Sequence, residues 1–120
     1  MKIVIGSNSP FTNSGYGIQS YFLCKSFIEA GHDVVFLAWN MTGTKDLQYK
    51  KISYEKLKDL SLQTAFYNKE AIEEKEDISS KMEYYTCLYD NFPCIIKVGD
   101  VNKVLKKEKA DLYIYLLDIW

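Results

Sequence analysis

The residues best suited to chemistry in this chain sit where apolar runs meet polar loops. Ser14-Gly15-Tyr16-Gly17 closes a polar loop that starts at Ser7 and opens an apolar helical pattern. A glycine-containing turn that opens a helix after a buried strand offers backbone N–H groups to an anion or a sugar-phosphate. The same two glycines could simply let the loop turn into a crowded helix. Trp39 and Asn40 end the second apolar run, where an indole could stack on a sugar ring or belong to the core. Asp118 follows an apolar run near the end of the chain, at a strand end of the kind that binds ligands in open α/β sheets. A carboxylate there accepts hydroxyl hydrogen bonds from an acceptor sugar or acts as a base; otherwise it caps the next element or faces water. The chemistry these residues suggest is the handling of carbohydrates or nucleotides.

Other chemistries are disfavoured by spacing. The dinucleotide fingerprint needs three glycines at set positions directly after the first strand, but eight residues separate Gly6 from Gly15. No Gly-Lys-Ser/Thr of a phosphate-binding loop occurs, and no acidic pair of the response-regulator kind follows the first strand. His32 is the only histidine and follows a helix-ending glycine, where capping of carbonyls is its expected role. Cys24, Cys87 and Cys94 are odd in number and spread along the chain, as in a reducing compartment. Cys87 and Cys94 lack a second close pair of ligands, so no metal site is expected.

The positioning elements follow from periodicity. Residues 2–6 form a short all-apolar run, typical of a parallel strand covered on both faces. Ile18, Tyr21, Phe22, Cys24, Phe27 and Ile28 recur at helical spacing, predicting a helix over 17–30 with Gly31 as its left-handed stop. The second strand is expected over 34–38, parallel to the first through a right-handed crossover. Residues 47–52 suggest a short strand or edge, and helical pieces are expected over 54–60 and 69–82. The acidic cluster between Glu70 and Asp77 reads as solvated surface. Residues 84–89 fit strand and helix equally well. A strand over 94–98, a helix over 101–109 capped by Asp100, and an apolar strand over 112–117 complete the series. The fold class is therefore α/β, a Rossmann-like three-layer α/β/α domain with a mainly parallel sheet of three or four parallel strands, and residues 1–120 form one domain.

Composition agrees with a packed domain: 48% of residues are hydrophobic and 26% charged. A formal net charge of -1 leaves no electrostatic footprint for nucleic acid. No run reaches transmembrane length and the first residues enter a strand directly, so the expectation is a cytoplasmic protein without a transmembrane segment, peripheral membrane contact remaining open. Ten tyrosines are the unusual count; they suit sugar stacking, protein interfaces and half-buried sheets alike.

Five stretches together resemble the N-terminal domain of retaining glycosyltransferases with the two-Rossmann-domain GT-B architecture, particularly the group-1, or family-4, class. They are Met1-Lys-Ile-Val-Ile5, the loop from Pro10 to Ser14-Gly-Tyr-Gly17, the helix after it, Gly31-His-Asp-Val-Val35, and the strand from Lys109 to Asp118. The resemblance covers about half the chain, at its two ends. It implies that the domain binds a sugar or glycan acceptor, and that Ser14, Gly15, Tyr16 and Gly17 face the diphosphate of a nucleotide-sugar donor. It assigns His32 to a structural turn and calls for no metal and no other cofactor. The donor-binding C-terminal domain of that architecture has no counterpart here. The resemblance thus implies the acceptor-side part of an enzyme that moves a hexose, inactive alone and completed by a further domain or a partner chain. An apolar strand ending at Ile119-Trp120 gives the same expectation of more polypeptide or a covering partner, the alternative being a small domain complete as it stands. The competing function is a non-catalytic α/β module that binds protein or glycan through its tyrosine-rich middle.

Overall fold

The computed structural model describes residues 1–8, 10, 15–39, 50–62, 68–89, 92–94 and 98–115; residues 8, 15, 16, 39, 87–89, 92–94 and 98–100 enter through their backbone alone. Their order is β1 (Lys2–Asn8), α1 (Gly15–Glu29), β2 (Asp33–Trp39), β3 (Lys50–Ile52), α2 (Tyr54–Ser61), α3 (Lys69–Glu74), α4 (Glu76–Ser79), β4 (Glu83–Tyr89), β5 (Phe92–Cys94), α5 (Val98–Glu108) and β6 (Leu112–Tyr115). The sheet runs β3-β4-β2-β1-β6, with β5 paired to β4 off this path. β1, β2, β4 and β6 are parallel, while β3 and β5 pair antiparallel with β4. This is a Rossmann-like α/β fold.

Alternation along each strand divides the core into two layers. Ile3, Ile5, Val34, Phe36 and Tyr84 face α1 to α4 through Cys24, Leu57, Leu60, Ile72 and Ile78. Val4, Val35, Leu37 and Tyr85 face α5 through Val101 and Val104. The all-apolar runs of β1 and β2 are thus those of strands covered on both sides, as expected from the sequence.

α1 packs differently from the expected stripe. Gly17, Ser20 and Cys24 are buried and Tyr21, Leu23, Phe27 and Ile28 half-buried. Ile18 and Phe22 are exposed at 45% and 59%. At 3.6 residues per turn they lie roughly 100–140° around the helix from Gly17, beyond the face that touches the sheet. Small residues let the helix approach, a signal that counting apolar positions passes over.

Both long helix exits use the same reverse turn. After α1, Gly31 N–H donates to Ile28 O and His32 N–H to Phe27 O, each at 3.0 Å, with Gly31 at φ +89°. After α5, Lys109 N–H donates to Lys106 O at 3.3 Å and Ala110 N–H to Leu105 O at 3.1 Å, with Lys109 at φ +53°. These paired bonds satisfy carbonyls that a helix end leaves free.

The middle of the chain resolves into short elements. Ser53 caps α2 by accepting from Lys56 N, and Asn68 caps α3 by accepting from Ala71 N. The acidic cluster is more than solvated surface. Glu76 accepts from Lys58 Nζ at 3.3 Å and Asp77 from the Tyr21 hydroxyl at 3.1 Å, tying α4 to α2 and α1 while Ile72 and Ile78 enter the core. Residues 83–89 form a strand, settled by pairing with β2 on one side and β3 on the other. Of the strand expected over 94–98, Cys94 ends β5, residues 95–97 lie outside the described residues and Val98 opens α5; Pro93 is tolerated because β5 lies off the main sheet path. α5 begins at Val98, so Asp100 belongs to its first turn rather than to the cap, a place where a carboxylate still suits the helix dipole.

Candidate functional site

Strand order locates the site. From β1 the chain steps to β2 and then β4 on one side, and later returns to place β6 on the other side of β1. The helices follow the same change, α1 to α4 on one face and α5 on the opposite one. In open α/β sheets, ligands bind beyond the carboxyl ends of the strands where the order reverses, here between β1 and β6.

Four features converge on that edge. β1 ends at Asn8, whose register partner is Trp39, so the ends of β1 and β2 stand side by side. α1 begins seven residues after Asn8, and Gly15, Tyr16 and Gly17 form its first turn. No acidic side chain occupies that turn, leaving the positive end of the helix dipole without a carboxylate of its own. Ser7 is fully buried in the last part of β1.

The fourth feature is aromatic. Gly6 pairs with Tyr115, and Val4 with Tyr113. A Cβ on Gly6 would lie 2.9 Å from Tyr113 Oη and 3.5 Å from Tyr115 Cδ2, so a side chain there would force the Tyr113 ring to shift. The two rings meet edge to face with centroids 5.7 Å apart. The Tyr113 hydroxyl is buried with no hydrogen-bond partner among the described residues, and burial pushes its phenol well above the usual range. Tyr115 is 38% exposed, its phenol also raised by burial. An aromatic floor with a buried hydroxyl therefore lies along β6 beside Val4 to Gly6 of β1, with Tyr113 packed against the core under α5 and Tyr115 nearer the carboxyl edge.

The structure brings Gly15, Tyr16, Gly17 and Trp39 to this one edge through their backbone positions. Ser14, Asn40 and Asp118 lie outside the described residues. Gly6 and the Tyr113–Tyr115 pair were not singled out for the site. A lone glycine inside an apolar strand was the available signal, because it marks close approach of something to the backbone.

The opposite, amino edge of the sheet carries a groove and a set of ion pairs and hydrogen bonds. His32 has its Nδ1 3.1 Å from the amino-terminal nitrogen and its ring 6.2 Å from that of Phe27. A groove of about 540 Å³ opens there, lined by Lys2, His32, Asp33, Lys81 and Glu83 among others. Lys2 Nζ lies 2.9 Å from the buried Glu108 carboxylate, which also accepts from the Tyr85 hydroxyl. Among the described residues, no group of three or more His, Cys, Asp or Glu could hold a metal ion, and no helix is long and apolar enough to cross a membrane.

The tyrosine-rich middle is largely interior where it is described. Tyr84 and Tyr85 are 1% and 2% exposed, and Tyr84 donates to Ser79 O at 2.7 Å. Those two rings are therefore unavailable to a partner. Comparison with protein-family models, curated proteins and solved structures finds no match for this chain.

Proposed function

We propose that this chain is the acceptor-side domain of a retaining glycosyltransferase that moves a hexose from a nucleotide-sugar donor to a sugar or glycan acceptor in the cytoplasm. The observation that carries the reading is the reversal of strand order at β1 and β6, with the glycine turn of α1 and the Tyr113–Tyr115 floor at the same carboxyl edge. Backbone N–H groups at the start of α1 suit the donor diphosphate, with Ser14 to Gly17 as the facing loop. A sugar ring stacks on an exposed aromatic face such as Tyr115, with Trp39 and Asn40 beside it. Asp118 is the residue assigned to the acceptor hydroxyl, as hydrogen-bond acceptor or base. The reading calls for no metal and no further cofactor. Donor binding falls to a second domain or a partner chain, whose closure over this edge would exclude water and align donor with acceptor.

Titration of the isotopically labelled chain with mono- and oligosaccharides, followed by backbone amide NMR, tests the location. Shifts are expected at Gly6, Ser7, Gly17 and Tyr115, with Tyr115→Ala weakening binding severalfold while the fold is kept. Shifts confined to Lys2, Asp33 and Glu83 at the amino edge, or none with any sugar, would overturn the reading.

A further inference from the structure

Two of the three cysteines stand directly opposite each other. Cys87 of β4 and Cys94 of β5 are Cα partners in an antiparallel register, next to Leu88 with Pro93 and Tyr89 with Phe92. Directly opposite residues of an antiparallel pair have Cα atoms roughly 4.5 or 5.5 Å apart, depending on whether they exchange hydrogen bonds. A disulfide spans Cα separations of about 4.4–6.8 Å, so either kind of pair lies within reach. Opposite positions also share a sheet face, which a bridge requires.

We propose that Cys87 and Cys94 are a redox-active pair that closes reversibly to an intrachain disulfide by exchange with a small disulfide of the glutathione class. The thiolate of one cysteine attacks the reagent disulfide, breaking its S–S bond and releasing one reagent thiol. The second cysteine, deprotonated in turn, attacks the mixed disulfide and releases the other reagent thiol. One S–S bond is lost and one gained; the two protein protons end on the two released thiols, and the pair of electrons passes to the reagent.

The position of the pair gives the bond a consequence. β2 pairs with β4 only as far as Thr86, so Cys87 to Tyr89 extend past that ladder at the carboxyl end of β4. β5 holds to this extension by three register pairs, one of them involving Pro93, which cannot donate to the ladder. Two-stranded pairings this short are weak by themselves. A covalent bridge would fix β5 on β4, and reduction would return it to three register pairs and its contacts with α2 and β2. In a cytoplasmic setting, thiols paired in this way sense redox state rather than brace the fold. The inference does not depend on the sugar reading.

Cys24 supplies an internal control. It is fully buried in the core, and burial pushes its thiol up to about 12, so it stays a thiol while the chain is folded. Lys81 and Lys97 flank both cysteines of the pair with no lysine or arginine between, so trypsin releases the two in one peptide.

The purified chain is incubated with oxidised glutathione, quenched with an alkylating reagent, digested and weighed. The expected result is a peptide 82–97 lighter by about 2 Da, the mass of two hydrogens, with alkylation of both cysteines lost and recovered on adding reduced glutathione. Cys87→Ser and Cys94→Ser should each leave a lasting glutathione adduct on the remaining partner. Peptide 82–97 alkylated at both positions, or carrying a separate glutathione on each, would overturn the proposal. Because the decisive readout is on the unmodified sequence, failure of a variant to fold does not affect it.

Discussion

Glu108 shows how one buried carboxylate ties three elements together. It ends α5, accepts from the Tyr85 hydroxyl of β4, and pairs with Lys2 at the start of β1. The Tyr85 hydrogen bond, followed by that of Lys2 and its charge, holds the Glu108 carboxyl below its ordinary 4.5 against the opposing effect of burial. Lys2 is correspondingly raised, first by its hydrogen bond to Glu108. A carboxyl with a depressed folded-state pKa contributes stability that is fully present above its unfolded value and lost as pH falls through the folded value. Denaturant unfolding should therefore show this contribution intact at neutral pH and declining below about pH 4.5. Glu108→Gln should lower stability by about 1–3 kcal/mol at pH 7, through lost charge-assisted bonds, and flatten the acid limb. An unchanged acid limb in that variant would remove Glu108 as the titrating group. None of this was legible in the sequence, where Glu108 is one more charged residue in the helix expected over 101–109. The partners lie on different strands, 106 and 23 positions from Glu108. The same limit hid the Tyr113–Tyr115 floor, although Gly6 marked the place where it fits.

At the scale of elements, the two helix exits form a natural comparison. Gly31 was readable as a stop because glycine is the residue that adopts positive φ without cost. Lys109 occupies the same left-handed position at φ +53°, and nothing in its composition announces it. It is set by the two hydrogen bonds of the turn and by the need for β6 to start beside β1, where Asp111 N–H donates to Lys2 O and Asp111 Oδ2 accepts from Lys2 N, both at 2.8 Å. The prediction is a pair of opposite signs. Gly31→Ala should destabilise by about 1 kcal/mol, since no atom lies within 4 Å of the added Cβ and backbone strain is the whole effect. Lys109→Gly should be neutral to stabilising by up to about 1 kcal/mol, because relief of that strain exceeds the added freedom of the unfolded chain. Thermal melts of the two variants beside the parent check both. Stabilisation by Gly31→Ala, or a loss beyond about 1 kcal/mol in Lys109→Gly, would contradict the shared-turn account. Strands were less readable than helix ends. β4 was ambiguous because its three tyrosines and threonine fit either period, and only its flanking partners decide.

At the scale of the whole molecule, local pattern led as far as a mainly parallel α/β sheet and stopped short of strand order. Parallel pairing of β1 with β2 follows from a short crossover, but the placing of β6 beside β1 is a long-range outcome between residues about a hundred positions apart. That placing creates the order reversal on which the functional reading rests, and it sets the final prediction. One Rossmann-like sheet carries a glycine turn, a tyrosine floor and the strand ends beside them, which on the proposed reading make one half of a site. Transfer from a nucleotide sugar requires two reactants held together and shielded from water, and much of the rate comes from that enclosure. The 120-residue chain should therefore bind a sugar acceptor weakly and give no appreciable transfer from UDP- or GDP-linked hexoses. The assay is product formation from radiolabelled donors with a panel of mono- and oligosaccharide acceptors, run beside the NMR titration on the same sample. Binding at the carboxyl edge without turnover would agree with an acceptor-side domain. Robust turnover by this chain alone would show that its single sheet holds both substrates, and the requirement for a second domain would fall.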